Sequence, residues 1–172
     1  MNDELYRDIV AANKDRMYRI CCCYVRDDDA RKDVYQEILI NIWQNLPRFE
    51  GRSEISTWVY RISVNTCLGF LRSERRRKKI FEQDPLIAEE RLTNATAEAE
   101  VPHTDEHVER LYACIDRLPL LDKALISLYL EDLSTEEMAD ILGMSASNVR
   151  VKVHRIKKTI RQQWERTNHG LG

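Results

Sequence analysis

Apolar residues recur every three or four positions along most of the chain, the spacing of one helix face. Leu5, Ile9 and Ala12 form a first stripe, and Met17, Ile20, Cys21 and Tyr24 a second. Asp27, Asp28 and Asp29 read as a turn that opens another helix. That helix carries Val34, Ile38, Ile42 and Leu46 at steps of four, widened by Leu39 and Trp43, and Pro47 ends it. Arg48 to Ser53 is a loop, with Ser53 placed to cap the next helix. The next helix runs through Trp58, Ile62 and Leu71 into the run Arg75, Arg76, Arg77, Lys78 and Lys79. From about Glu82 to Thr104 the pattern dissolves into Ala, Glu, Thr and two prolines, Pro85 and Pro102. It returns with Val108, Leu111, Tyr112, Ile115 and Leu118, a short helix around Ala124 to Leu130, and two more helices. The expectation is an all-α fold: two small helical domains, residues 1–80 and 107–168, joined by a flexible acidic linker over 81–106.

Charge sharpens that division. The chain of 172 residues carries a formal net charge of only −2, but the charge is unevenly placed. Residues 1–80 sum to +4, residues 81–110 to −7 and residues 145–172 to +6. Two basic blocks therefore flank an acidic middle, and each block suits a phosphate backbone despite the acidic total. The five cysteines (Cys21, Cys22, Cys23, Cys67 and Cys114) are odd in number and show no CxxC or metal-like spacing. Three in a row on a helix point in different directions, so they read as small apolar fillers in a reducing compartment. A redox switch is the other reading. No run approaches the ~20 apolar residues of a membrane span, and the expected location is the cytoplasm.

The most specific local pattern lies near the C-terminus. Ser134-Thr135-Glu136-Glu137 is a capping box, followed by Met138, Ala139, Ile141 and Leu142 and stopped by Gly143. Ser145 caps a second helix whose inward stripe is Val149, Val153, Ile156 and Ile160. Ala139 is small where two helices would cross, Gly143 fits a left-handed turn, and Val149 packs the second helix on the first. Arg150, Lys152, His154, Arg155, Lys157, Lys158 and Arg161 face outward. This is the spacing of a helix-turn-helix, with donors where a recognition helix meets base edges and phosphates. An ordinary helical hairpin would need only a solvated basic face, without the capping box and the small-Gly-apolar spacing.

The N-terminal half narrows the class. Asp33-Val34-Tyr35-Gln36-Glu37-Ile38, then Trp43, then Leu46-Pro47-Arg48-Phe49-Glu50-Gly51, then Ser56-Thr57-Trp58-Val59-Tyr60-Arg61-Ile62 and Val64-Asn65 lead to Arg72 and the basic run. This order resembles region 2 of the extracytoplasmic-function (ECF) sigma factors of bacterial RNA polymerase, in the sigma-70 family. The C-terminal motif resembles their region 4. The resemblance implies that residues 1–80 are region 2 and 107–168 region 4. It implies that Asp33, Gln36, Glu37 and Trp43 grip the clamp helices of the polymerase β′ subunit. It also implies that the loop from Phe49 to Ser56, with Gly51, Arg52 and Ser53, captures a flipped base of the −10 element. Asn65 would line that pocket, Trp58 and Tyr60 would support or face melted DNA, and Arg61, Arg72, Arg75 and Arg76, with the rest of the basic run, would contact phosphates. In region 4, Ser147, Asn148, Arg150, Val151, His154, Arg155 and Lys158 fall where the family reads the −35 element. The implied partners are core polymerase through β′ and the β flap, promoter DNA, and an anti-sigma factor, with no membrane insertion and no cofactor.

Enzyme readings find little to build on. His103 and His107 are four apart like a metal pair, but no third ligand accompanies them. There is no phosphate-cradling glycine loop and no nucleophile–base constellation. The alternative from another class is a helix-turn-helix regulator that binds duplex operator DNA without core polymerase.

Overall fold

The computed structural model describes residues 2–82 and 105–169, and seven α-helices with no strand make up its regular structure. Helix α1 (Asn2–Tyr24), α2 (Asp28–Asn45) and α3 (Ile55–Glu82) form the N-terminal half. Helices α4 (Glu106–Asp116), α5 (Leu120–Tyr129), α6 (Thr135–Leu142) and α7 (Ala146–His169) form the other. Residues 83–104, which hold nearly all of the expected linker, and His103 of the histidine pair lie outside the described residues.

Local chemistry sets most helix ends. The Asp27 carboxylate accepts from the Ala30 amide at 2.7 Å and caps α2. Helix α2 stops at Asn45, and Pro47 sits in a short 3₁₀ turn over Leu46–Arg48. Ser53 is not the cap of α3. The helix starts two residues later, where the Trp58 amide donates to the Glu54 carbonyl.

Each helix buries the face turned toward its neighbours. The first half packs Met17, Ile20 and Cys21 of α1 against Val34, Ile38 and Ile42 of α2 and Val59, Val64 and Cys67 of α3. Two stripes expected from periodicity are rotated. In α1 the inward line is Ile9, Asn13 and Met17, while Leu5 is 49% exposed and Ala12 is exposed. Asn13 is tolerated inside because its amide donates to the Ile9 carbonyl one turn back, at 2.8 Å. In α3 the inward residues are Val59, Ser63 and Cys67, because α1 covers that face, and Trp58, Ile62 and Leu71 are left half-buried.

The second half packs Ile115 and Leu118 with Leu125 and Leu128, then Met138 and Ile141, against Val149, Val153 and Ile156. The two cores are continuous, because α5 and α6 lie on α1 and α3. At their contact the hydroxyls of Tyr24 and Ser127, both buried, lie 3.2 Å apart. The Arg19 guanidinium donates to both oxygens of Glu131 at 2.8 and 2.7 Å. Arg61 donates to the Asp140 carboxylate at 2.7 Å and to its carbonyl at 3.1 Å, so α6 is tied to α3.

Candidate nucleic-acid interface

The helix-turn-helix is built by its caps. The Ser134 hydroxyl accepts from the Glu137 amide at 3.2 Å, and the Glu137 carboxylate accepts from the Ser134 amide at 2.8 Å. The Ser134 hydroxyl also donates to that carboxylate at 2.8 Å, and the carboxyl is held below its usual range by the Ser134 amide first and the hydroxyl second. Gly143 closes α6 with φ 65°, in the left-handed region where a side chain is strained. The Ser145 hydroxyl then accepts from the Asn148 amide at 3.3 Å and starts α7. With Val149 fully buried, the helix turns Ser147, Asn148, Arg150, Val151, His154, Arg155 and Lys158 outward, all exposed. Lys157 is exposed too, but its ammonium lies 4.8 Å from the Tyr129 ring centroid and donates to that hydroxyl at 3.0 Å. Lys157 therefore ties α7 to α5, which the charge run alone could not reveal.

On the N-terminal half, Asp33, Gln36 and Glu37 are exposed along α2. Trp43 continues that stripe, 44% exposed, and its ring meets Tyr6 edge-on at 5.0 Å. Tyr6 thus fixes the angle at which the indole faces outward.

Beside this stripe a groove of about 430 Å³ runs between α2 and α3. Glu37, Asn41 and Asn45 line one wall, and Trp58, Ile62, Asn65 and Thr66 the other. Asn65 thus shares a groove with three α2 side chains, and the loop residues expected to accompany it do not line that groove. Gly51, with φ 68°, and Arg52 are exposed at the loop tip, where Arg52 pairs with Glu50. Ser53 is half-buried. Phe49 packs on the Trp58 ring, centroids 5.1 Å apart, and braces it from behind the groove. Nothing in the sequence marks Asn41 and Asn45; their spacing of four on α2, at the edge of the buried stripe, is what brings them together.

Tyr60 does not face outward. It is 2% exposed, and its hydroxyl accepts a short hydrogen bond from Arg16. Arg61 is partly covered by α6, and its Nε is buried without a partner. Arg72, Arg75, Arg76, Arg77 and Lys78 extend along the far end of α3, exposed, with Arg77 paired to Glu74 at 2.8 Å. The side chain of Lys79 lies outside the described residues.

The other candidate chemistries gain no support. His107 stacks on Trp164 at 5.9 Å, and the described residues hold no group of three or more side chains placed to bind a metal. Cys21, Cys23, Cys67 and Cys114 are buried and Cys22 half-buried. Burial pushes the Cys22 and Cys23 thiols up, and contact with Cys21 and burial push Cys67 up. That favours the inert thiol over the reactive thiolate. No helix among the described residues is long and apolar enough to cross a membrane.

Comparison with known proteins gives both halves a counterpart. The family model described as Sigma-70 region 2 matches residues 9–77, and that described as Sigma-70, region 4 matches residues 108–160. The RNA polymerase sigma factor SigV of Bacillus subtilis is 30% identical over 155 residues, which is 90% of this chain and 87% of the relative. The ECF RNA polymerase sigma-E factor of Escherichia coli is 32% identical over 143 residues, 80% of this chain and 74% of the relative. Among solved structures, the sigma factor RpoE in complex with the anti-sigma factor NepR from Bartonella quintana superposes with a TM-score of 0.71 at 16% identity, covering 93% of this chain and 96% of that one. CnrH in complex with the cytosolic domain of CnrY gives 0.66 at 16% identity, with 95% and 89% covered.

Proposed function

Because the chain belongs to the sigma-70 family, as an ECF sigma factor of RNA polymerase, we propose that its two halves divide promoter recognition between them. Residues 1–80 hold core polymerase and read the −10 element, and residues 107–168 read the −35 element. The observation that carries this reading is the pairing of two exposed surfaces on one chain: the basic face of α7 and the amide-lined groove beside α2.

The exposed stripe of Asp33, Gln36, Glu37 and Trp43 suits the β′ clamp helices, since acids and amides around one aromatic anchor complement a basic partner helix. The exposed N-terminal part of α7, with Ser147, Asn148, Arg150 and Val151, enters the −35 major groove, and His154, Arg155 and Lys158 follow it. Its basic side chains fix register on phosphates, and the first turn reads base edges. Asn65 and Trp58, with the loop bearing Phe49, Gly51, Arg52 and Ser53, hold unpaired −10 bases by amide contacts and stacking. Arg72, Arg75 and Arg76 follow the phosphates of the same strand. The protein acts in the cytoplasm and needs no cofactor or catalytic chemistry of its own. The complexes of RpoE with NepR and of CnrH with CnrY support control by an anti-sigma factor that covers one or both halves.

The packed arrangement of the two halves bears on this mechanism. Arg61 donates to Asp140 of α6, so it reaches a phosphate only after α6 leaves α3. Run-off transcription from a fragmented genomic template with core polymerase tests the whole reading. Defined transcripts that depend on the chain are expected. A chain that binds a duplex operator specifically, yet neither joins core polymerase nor yields such transcripts, is a helix-turn-helix regulator instead.

A further inference from the structure

The groove beside α2 presents an ordered set of hydrogen-bonding atoms. The Asn41 amide nitrogen donates to the Thr66 hydroxyl at 3.0 Å, and that hydroxyl donates in turn to the Ile62 carbonyl at 2.9 Å. The Asn45 amide nitrogen donates to the Asn41 backbone carbonyl at 2.8 Å. Both amides are thereby oriented. Thr66 spends its proton on Ile62, so only the nitrogen of Asn41 can face it, and a backbone carbonyl can only accept from Asn45. Each side chain is left with its carbonyl oxygen available to a ligand. Opposite stand the exposed amide of Asn65 and the indole of Trp58, braced by Phe49.

We infer that Asn41 and Asn45, on the helix whose outer stripe faces polymerase, help choose the unpaired base held against Trp58, and that they select adenine or cytosine. The inference rests on the −10 reading above. Adenine carries an amino donor at N6 and cytosine one at N4, whereas guanine and thymine place carbonyl acceptors, O6 and O4, at those positions. An oxygen of Asn41 or Asn45 takes a hydrogen bond from the first pair and meets a like dipole in the second. The Asn65 amide can donate to the ring nitrogen next to the amino group, and Trp58 supplies a face for stacking that does not depend on base identity. Stacking therefore gives affinity, and the α2 acceptors give choice.

The test uses holoenzyme assembled from the full chain and core polymerase. The probes are fluorescein-labelled oligonucleotides of twelve thymidines, either unbroken or with one central adenine, cytosine or guanine. Core polymerase alone gives the background. The adenine and cytosine probes are expected to bind roughly tenfold more tightly than the guanine and all-thymidine probes. Asn41→Lys replaces an acceptor with a donor and should reverse the order in favour of the guanine and all-thymidine probes. Asn45→Lys, at a less constrained position of the same wall, should weaken the adenine and cytosine preference in the same sense. A purely structural role would lower binding of all four probes together and would overturn the inference. An unchanged order in both variants, while Asn65→Ala and Trp58→Ala still weaken every probe, overturns the role of α2 and leaves the −10 reading standing. If Asn65→Ala and Trp58→Ala also leave binding at its original level, the −10 reading itself fails.

Discussion

Arg19 holds the Glu131 carboxylate with two hydrogen bonds, at 2.8 and 2.7 Å, across 112 residues of sequence. The pair is asymmetric: the Glu131 side chain is 4% exposed and that of Arg19 50%. Arg16 adds a second cation 3.9 Å away. The anion of one half is thus buried against the other half, where the two arginines of α1 are its cationic partners.

Reversing one charge should therefore open the chain. Arg19→Glu sets two carboxylates against each other, and the half-exposed site limits the loss to about 2 kcal/mol. Small-angle scattering is expected to show a larger radius of gyration. The double variant Arg19→Glu with Glu131→Arg should recover much of the compactness. If the double variant is as extended as the single one, this ion pair does not hold the halves together.

Arg61 gives a second prediction. Its Nε is buried without a partner while its other end serves Asp140. Asp140→Ala removes an exposed competitor for that guanidinium, and exposed ion pairs contribute ~0.2–1 kcal/mol. The variant should bind fork-junction promoter DNA in holoenzyme up to about fivefold more tightly, with the difference shrinking as salt rises. Weaker binding would mean that Asp140 supports the DNA-bound form instead.

The capping box fixes a pH dependence. In the folded chain the Glu137 carboxyl is held below its usual range by the Ser134 amide and hydroxyl. A carboxyl depressed on folding stabilises the fold fully above its unfolded pKa, about 4.3. That contribution is lost as the pH falls through the lower folded value. Glu137→Gln keeps a side chain able to close the capping box and removes only the charge, so it should cost roughly 0.3–1 kcal/mol at neutral pH, and its melting curve should converge on that of the unaltered chain once the pH falls below the depressed folded value. A gap that persists into acid would point to packing, not charge.

Thiol chemistry separates inert fillers from sensors. With four cysteines buried and the Cys22 and Cys23 thiols raised by desolvation, none should react quickly with a chromogenic disulfide reagent at neutral pH. Cys22, the half-buried one, should react first and slowly, and all five only in denaturant. Fast native labelling of Cys21 or Cys67 would restore the redox reading.

What the sequence made legible was local. The Asp27 cap, the Ser134–Glu137 box, the Gly143 turn and the Ser145 cap each depend on residues within three or four positions of one another. The inward stripe of α7 was equally plain, since one side of that helix is buried and the other basic. Stripes failed where a helix has neighbours on more than one side. Periodicity marked Trp58 and Ile62 along α3 without showing which face is covered: α1 claims the Val59 and Cys67 face, and Trp58 turns to the groove. Long-range pairing left no trace at all. Glu131 is one of 29 acids in the chain, and nothing near it in sequence marks it as the one to be buried. Asn41 and Asn45 were hidden for a related reason: an amide on a helix reads as surface until the facing helix is in place.

The shared core, with Tyr24 and Ser127 at its seam, also has a thermodynamic meaning. Parting the halves exposes apolar surface of both, so separation and unfolding draw on the same cohesive energy. The two halves therefore behave as one cooperative unit until a partner pulls them apart. A binding partner that opens the chain must supply that cohesion from its own contacts, which makes its apparent affinity weaker than the exposed surfaces alone would give.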